Sequence, residues 1–399
     1  MADTATGPVT DEALRQEVRD WLKANWTGSL IGHDAYNAWL AKVVDARWSV
    51  PRWPVEWRGR ALGDVQARII EREFAAVGAP GSGQDRTNLW ANTLLAAGTA
   101  ALKAKLAVPL LKNEVKMCLL YSEPCAGSDL AGIRTRAERQ GDHYVVNGQK
   151  VWTSFAATAD YGMLIARTDW DVPKHRGISF FFCPMKQPGV EVRPLRQITG
   201  ESHFNEVFLS DAIVPAENLL GEPGGGWRVL QTALAYERLV LGDATARAPR
   251  SGAPGSRAEE PLIALAREAG TLGDPLIRQD IAKVVAYKRL NALNTARAKA
   301  DLGQGTSSPV LSLGKLAMSR ILHEEARVRT AILGAGSMLE GPDFPRAQDA
   351  NVQTLDAYLT SIGGGTDQIQ RNIIGERVLG LPKEPEIDRD IPFRQVRSG

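Results

Sequence analysis

The sequence predicts an α+β multidomain protein with an N-terminal helical domain, a central antiparallel β-domain and a C-terminal helical bundle. Three changes in hydrophobic spacing along the 399-residue chain carry this prediction. Apolar residues recur at helical spacing in the first third, alternate with a period of two from Tyr121 to about Gly221, and return to helical spacing after Gly224-Gly225-Gly226. We expect the domains to cover residues 1–118, 119–222 and 223–399.

The composition bounds the class of the protein. With 44% hydrophobic residues the chain can bury a large core, and a net charge of +2 gives no case for a general nucleic-acid or membrane surface. The three cysteines show neither metal-ligand spacing nor an even disulfide framework, so we expect a reducing compartment and no metal site. The acidic N-terminus is unlike a signal peptide, and no run of about 18 apolar residues indicates a membrane span. We therefore expect a soluble cytoplasmic protein.

The first third is predicted to be helical. Thr10-Asp11-Glu12 can cap a helix with an apolar face spaced i, i+4, i+7 and i+8. That face consists of Leu14, Val18, Trp21 and Leu22. After a proline-broken stretch rich in tryptophan, from Trp48 to Trp57, helical spacing returns from Val65 to Val77 and from Leu89 to Leu111.

The C-terminal part predicts long helices and one low-complexity loop. Residues Ala248–Ser256 have the composition of a mobile loop. Helical spacing then runs from Pro275 to Leu302, from Ser308 to about Leu333, and from about Asp367 to Leu379.

Two central stretches contain polar and aromatic residues that folding alone would not require. The loop Tyr121–Asp129 is made of small and polar residues, and the segment Tyr144–Ser154 is predicted to form a hairpin with Asn147-Gly148 at its turn. Such a loop can aim backbone N–H groups and two serine hydroxyls at a polar ring, while Trp152 can lay its aromatic face against that ring. Taken singly, each stretch is equally compatible with an ordinary β-meander and a Gly/Ser turn.

Together, and at this spacing, the two stretches resemble the flavin-binding middle domain of the acyl-CoA dehydrogenase family. The resemblance covers roughly the last two thirds of the chain. It continues through Gly177–Phe181, Gly189–Val192, Phe204–Phe208, Val214–Gly221 and Gly363–Arg371.

This resemblance implies FAD bound between the β-domain and the C-terminal bundle, and the removal of two hydrogens from the α and β carbons of an acyl-CoA thioester. A base takes the α proton, flavin N5 accepts the β hydride, and hydrogen bonds to the thioester carbonyl stabilise the developing enolate.

The family takes its base from one of two places. The commoner place corresponds here to Gly364, which has no proton acceptor. The other is the helix Leu234–Leu241, which resembles the base-bearing helix of isovaleryl-CoA dehydrogenase and puts Glu237 at the catalytic position. A glutamate in a helix is otherwise most often a solvated surface residue.

The resemblance implies roles for further residues, each of which is also compatible with packing or a turn. The flavin contacts it implies are Tyr121, Ser122, Ser128, Trp152, Ser154, Thr366 and Gln368. The resemblance also implies that the substrate is bound by Ser128, Arg238, Gly364 and Gly365. Glu123 and Asp129 look like a catalytic carboxylate pair, but they belong to the loop motif and are expected to hydrogen-bond backbone groups. His203 is read as structural.

The chain departs from the family pattern in three places. A Gly-Gly turn that usually follows the tryptophan stretch is replaced by Arg58-Gly59-Arg60, so the local backbone is expected to differ. An Arg-x-x-Phe-Gly motif, whose arginine completes the neighbouring subunit's FAD site, is absent from the region of Ala248–Ser256. A Gln-x-x-Gly-Gly motif reads Ala331-Ile332-Leu333-Gly334-Ala335.

The two losses that concern the neighbour's FAD predict a heteromer with a related chain and one FAD per two chains, with a homomer as the alternative.

Several functions remain compatible with the sequence. The first is an FAD-dependent acyl-CoA dehydrogenase that passes electrons to an electron-transferring flavoprotein. The others are a non-catalytic partner subunit of the same fold and an oxygen-using acyl-CoA oxidase. The acyl group stays open between short, branched, long and sterol-derived chains.

Overall fold

The computed structural model describes residues 10–244, 260–303 and 310–396. The described residues form two compact units. The first holds those of Met1–Leu195, His203–Val240 and Asp388–Gly399, and the second holds those of Arg196–Ser202 and Leu241–Ile387. The predicted order of helices, then sheet, then helices is confirmed, and the three domain boundaries stay a prediction.

The N-terminal part is helical, as its apolar spacing predicts. Its helices are α1 (Asp11–Asn25), α2 (Gly32–Asp45), α3 (Asp64–Ala76), α4 (Gln84–Thr87), α5 (Leu89–Ala97) and α6 (Ala100–Leu111). Thr10 caps α1 by accepting a hydrogen bond from Ala13 N over 3.3 Å, and the predicted face buries Leu14, Val18 and Leu22. Thr99 starts α6 by accepting from Leu102 N, so the stretch Leu89 to Leu111 is two helices.

The turn after the tryptophan stretch has an unusual backbone. Arg58 and Ala61 both have positive φ, of 67° and 50°. A Cβ on Gly59 would lie 1.9 Å from the carbonyl oxygen of Trp53, so only glycine fits this close approach.

The central part is one eight-stranded sheet. Its strands are β1 (Met117–Leu120), β2 (Arg136–Gln140), β3 (His143–Ser154), β4 (Tyr161–Arg167), β5 (Ile178–Pro184), β6 (Val190–Leu195), β7 (Phe204–Pro215) and β8 (Leu219–Leu220). The order is β6-β7-β3-β2-β4-β5-β8, with β1 paired to β4. Most neighbours are antiparallel, as predicted, whereas β1–β4 and the single pairing of β2 with β4 are parallel.

Strands β4 and β5 bury both of their faces. Met163, Ile165 and Phe180 belong to a core shared with α5 and α6, while Leu164 and Phe181 belong to a second core shared with β3 and β7. A strand covered on both sides reads as a continuous apolar run, which accounts for the sequence of β5.

The prediction of a hairpin turn at Asn147-Gly148 is wrong. The turn lies at Gly141-Asp142, between the paired residues Gln140 and His143, and β3 runs on unbroken to Ser154. At Asn147 the register with β7 shifts, and the Asn147 amide exchanges hydrogen bonds with Asp211, which has φ of 54°. A Cβ on Gly148 would meet Thr135 Oγ1 at 2.3 Å. The Asn-Gly pair therefore forms a bulge and a close approach between strands. Both features favour the same residues as a hairpin turn.

The C-terminal part is helical. Its helices are α7 (Gly226–Ala244), α8 (Pro261–Glu268), α9 (Pro275–Gly303), α10 (Val310–Leu333), α11 (Pro345–Ile362) and α12 (Asp367–Arg377). The long helices α9 and α10 are where the spacing predicts them, whereas α8 and α11 were not predicted. The predicted loop Ala248–Ser256 lies outside the described residues. Among the helices within the described ranges, none has the length and apolar character needed to cross a membrane.

Candidate active site

The polar loop Tyr121–Asp129 is held at its base by a buried ion pair. Glu123 accepts hydrogen bonds from the backbone N–H groups of Arg134 and Thr135, over 2.6 and 2.9 Å. Its Oε1 also accepts from Lys150 Nζ over 2.8 Å, and Lys150 is fully buried. Burial alone would raise the pKa of Glu123, but Lys150 and the backbone donors hold that pKa below its ordinary value. The expectation that Glu123 bonds to backbone groups is confirmed.

Asp129 differs from this expectation. Its side chain is mostly exposed, and its Oδ2 lies 3.2 Å from Lys174 Nζ. The two carboxylates therefore have separate cationic partners, Lys150 for Glu123 and Lys174 for Asp129.

The tip of the loop projects from this base. A β-bridge between Glu123 and Ala126 closes a tight turn, after which Gly127 and Ser128 are exposed. Ser122 is half-buried, and its carbonyl accepts from Val151 N over 2.9 Å. This hydrogen bond ties the loop to the end of β3 and brings Ser122 close to Trp152 in the fold.

Trp152 stands out from the surface of the sheet. The pairing of β3 with β7 is irregular between Lys150 and Thr153, and Trp152 has φ of 61° at this point. Its side chain is 57% exposed, and its ring meets Phe204 edge-on at 5.9 Å between centroids. Ser154, two residues further on, is half-buried and pairs with Phe204 in the ladder. The irregularity thus presents an aromatic face next to the polar loop.

Tyr121 points into the core, away from the loop tip. It is buried, its hydroxyl donates to Met163 Sδ over 3.4 Å, and its ring meets Phe180 edge-on. Its carbonyl oxygen accepts from Lys150 Nζ over 3.1 Å. With its hydroxyl in the core, Tyr121 can contact a flavin only through its backbone, and this contact stays a prediction.

Glu237 lies on α7 and is half-buried. Burial raises the pKa of the Tyr121 hydroxyl well above its ordinary value, and the negative charge of Glu237 raises that pKa further. Glu237 therefore acts electrostatically on a buried residue that directly precedes the serine loop. The side chain of the next residue, Arg238, lies outside the part that the structure describes.

The remaining predicted residues belong to the second unit. Thr366 caps α12 by accepting from Ile369 N over 3.2 Å, and Gln368 is exposed in the first turn of that helix. Gly364 and Gly365 are exposed and have φ of 63° and 85°. A Cβ on Gly365 would lie 2.9 Å from Gln370 Nε2. This turn is built for glycine, and it presents no side chain at position 364.

Two buried cations, Lys150 on β3 and Arg167 at the end of β4, were not predicted from the sequence. A signal existed for Lys150, because it follows the buried positions Tyr144 and Val146 along one strand and stands close in the sequence to the carboxylate motif.

Comparison with known proteins points to one family. The sequence profile of the acyl-CoA dehydrogenase middle domain matches residues 118–212, and that of the acyl-CoA dehydrogenase C-terminal domain matches residues 224–379. The chain is similar to the acyl-CoA dehydrogenase IpdE1 of Mycolicibacterium smegmatis, with 36% identity over 405 residues that cover 94% of this chain and 98% of that protein.

Two solved structures share the fold over nearly the whole chain. The structure titled Tcur3481-Tcur3483 steroid ACAD has a TM-score of 0.72 and 27% identity, and the match covers 95% of this chain and 99% of that chain. The ChsE4-ChsE5 complex from Mycobacterium tuberculosis has a TM-score of 0.65 and 28% identity, with 96% and 100% covered.

Proposed function

Because the chain belongs to the acyl-CoA dehydrogenase family and is an oxidoreductase, we propose that it catalyses the FAD-dependent α,β-dehydrogenation of an acyl-CoA thioester to the 2-enoyl-CoA, with Glu237 as the base. The observation that carries this proposal is that Glu237 stands half-buried on α7, in the same compact unit as the serine loop, while position 364 is a glycine without a proton acceptor. A carboxylate in such a place is a candidate general base.

The residues of the polar loop and of the end of β3 fit the cofactor that the family implies. An isoalloxazine ring requires an aromatic or apolar face and hydrogen-bond donors at its polar edge. Trp152 is exposed next to the polar loop, and Ser122, Ser128 and Ser154 lie on that loop and at the adjoining strand end. Thr366 and Gln368 are the residues that the family resemblance implies for the remainder of FAD. When bound, FAD supplies the hydride acceptor.

Glu237 removes the α proton in this proposal. The α protons of a thioester are acidified by the carbonyl, so a carboxylate can take one when donors stabilise the developing oxyanion. Donors near the loop tip include the backbone N–H and the hydroxyl of Ser128. Arg238 is the proposed arginine on the substrate side. Gly364 and Gly365 are the further substrate-side positions that the resemblance implies.

The titles of two similar structures and two missing groups support a proposal for the substrate and the assembly. One similar structure is titled a steroid ACAD, and a second is a complex of two chains, ChsE4 and ChsE5. The chain has Ala331, exposed at the end of α10, where the family carries a glutamine. We therefore place this chain in a heteromer with a related chain that completes the FAD site, and assign it a sterol-derived acyl group. An electron-transferring flavoprotein is the proposed electron acceptor.

The test is anaerobic reduction of the flavin. The chain, purified with its partner, is mixed with CoA thioesters of straight, branched and sterol side-chain acids. At least one thioester should bleach the flavin and yield a product that lacks two hydrogens, with the sterol-derived member fastest. A matched thioether analogue should bind without bleaching, because its α protons are not acidified by a carbonyl.

The outcome separates the three functions. Flavin that stays oxidised with every thioester would assign the chain to the non-catalytic partners. Rapid reoxidation in air with peroxide formed in proportion to product would assign it to the oxidases.

A further inference from the structure

The last described residues of the chain dock beside the predicted flavin loop. Phe393 N donates to Val172 O over 2.9 Å, and Arg394 N donates to Trp170 O over 3.0 Å. The Phe393 residue is 1% exposed. Phe393 and the sheet belong to the same compact unit.

Phe393 covers a buried arginine. The guanidinium of Arg167, at the end of β4, lies 3.4 Å below the centre of the Phe393 ring, and Arg167 is fully buried. It donates to the carbonyl oxygens of Ala131 over 2.7 Å, Ile133 over 3.1 Å and Lys174 over 3.1 Å. Burial lowers the pKa of Arg167 to about 10, which reflects how far its charge is withdrawn from water.

The carbonyls of Ala131 and Ile133 belong to the segment that directly follows Ser128. A short 3₁₀ helix, Leu130–Gly132, joins the loop tip to strand β2, and Arg167 holds this helix and its exit by two hydrogen bonds. The other side of the loop is held by Glu123 and Lys150. In the sequence, Ser128 therefore lies between two segments that are held by buried charges. The first is held by the Glu123–Lys150 pair, and the second is held by Arg167, which Phe393 covers.

A second contact links the same two segments. Lys174 Nζ lies 3.2 Å from Asp129 Oδ2, next to Ser128, and 3.4 Å from Asp388 Oδ2 at the start of the C-terminal segment. One lysine thus bridges the loop and the returning chain.

We propose that residues 388–396 are a positioning element for the loop that carries Ser122 and Ser128, with Phe393 and Arg167 as positioning residues. Phe393 keeps water from the guanidinium, and the shielded guanidinium fixes the carbonyls of Ala131 and Ile133. The fixed segment holds the donors of the loop tip in one orientation toward the flavin and the thioester. The inference rests on the proposed function, because it assigns the loop to that site.

The test compares hydrogen exchange and FAD affinity in Phe393→Leu, made in the full chain and purified with its partner. Leucine keeps apolar bulk but removes the ring face above Arg167. We expect amide exchange in residues 129–135 to accelerate about tenfold or more, and the Kd for added FAD, followed by flavin fluorescence, to rise about tenfold. Exchange in α1 should stay unchanged. A merely structural role would accelerate exchange throughout the unit.

Two further variants complete the design. Arg394→Ala is the matched control in the same segment, since Arg394 is exposed and pairs with Asp171 on the surface; both readouts should match those of the unchanged protein. Asp388→Asn weakens the Lys174 bridge without altering the core, and should accelerate exchange in residues 129–135 by a smaller factor. If Phe393→Leu does not fold, Asp388→Asn decides whether residues 388–396 position the loop.

The outcomes for this inference and for the proposed function are separable. If the unchanged protein binds FAD, and Phe393→Leu and Asp388→Asn alter neither readout, the positioning role is wrong. If the unchanged protein binds no FAD, the proposed function fails, and the exchange of residues 129–135 alone decides whether the C-terminal segment orders the loop.

Discussion

Lys150 Nζ lies 2.8 Å from Glu123 Oε1 in the interior of the first unit, with the lysine fully buried and the glutamate nearly so. The pair joins the two stretches that carry the family resemblance, because Glu123 belongs to the polar loop and Lys150 to strand β3. It thereby fixes where Ser122 and Trp152 stand relative to one another.

Glu123→Gln should destabilise the protein at neutral pH. The change leaves the Lys150 charge buried without its partner, and breaking a buried pair costs about 3–5 kcal/mol. Because the folded pKa of Glu123 is lowered, its contribution is present above the unfolded pKa of about 4.3 and is lost as pH falls through the folded value. In urea unfolding, the free energy of unfolding of Glu123→Gln should therefore be lower than that of the unchanged protein at about pH 7, and this difference should narrow below about pH 4.

Glu138→Gln is the matched control for this prediction. Glu138 lies on β2, and its side chain is mostly exposed beside Arg136. Substitutions of this kind stay within about 0.5 kcal/mol. If the difference in free energy of unfolding between Glu123→Gln and the unchanged protein stays constant with pH, then Lys150 does not hold the glutamate ionised.

Trp152→Ala should weaken FAD binding. A stacked aromatic contact is worth about 0.5–1.5 kcal/mol beyond its area, which corresponds to roughly 2- to 12-fold in Kd. The visible flavin spectrum should shift as well, because the ring loses an aromatic neighbour. The measurement is a titration of apoprotein with FAD.

Phe155→Ala supplies the comparison for Trp152. Phe155 is 73% exposed and shares the φ of 61°, three residues further along the chain. Removing it should leave both affinity and spectrum unchanged. Equal effects from the two variants would mean that Trp152 has no special contact with the flavin.

The chain expressed alone should retain little FAD. In a symmetric homomer a group that is missing from one chain is missing from every site, so the absent arginine and the alanine at position 331 would weaken all of them. Expression with a related chain that carries both groups should raise the FAD content to one per two chains. Bound flavin and the mass of the assembly measure this.

A homotetramer with one FAD per chain and full activity would contradict the heteromer. Such a result would require other residues of this chain to hold the FAD diphosphate of the neighbouring subunit.

Hydrophobic spacing was enough to predict the order of the helical and sheet parts, because α1 buries the face that its sequence indicates and the stretch with a period of two forms the sheet. It did not predict α8 and α11. Local residue preferences failed at Asn147-Gly148, since a bulge and a hairpin turn select the same residues and only the pairing with β7 distinguishes them. The motif residues of the loop were identified by resemblance. The role of Arg167 could not be foreseen, because its contacts with Ala131 and Phe393 join segments that are distant in the sequence.

The most direct test of the account is the rate of flavin reduction in Glu237→Gln. Glutamine keeps the shape of the side chain but cannot accept the α proton, so reduction by the best thioester should slow by roughly 10²–10⁴-fold while FAD stays bound. Glu217→Gln, at the exposed end of the sheet, should reduce at the unchanged rate. A Glu237→Gln protein that is reduced nearly as fast as the unchanged one would contradict the assignment of Glu237 as the base.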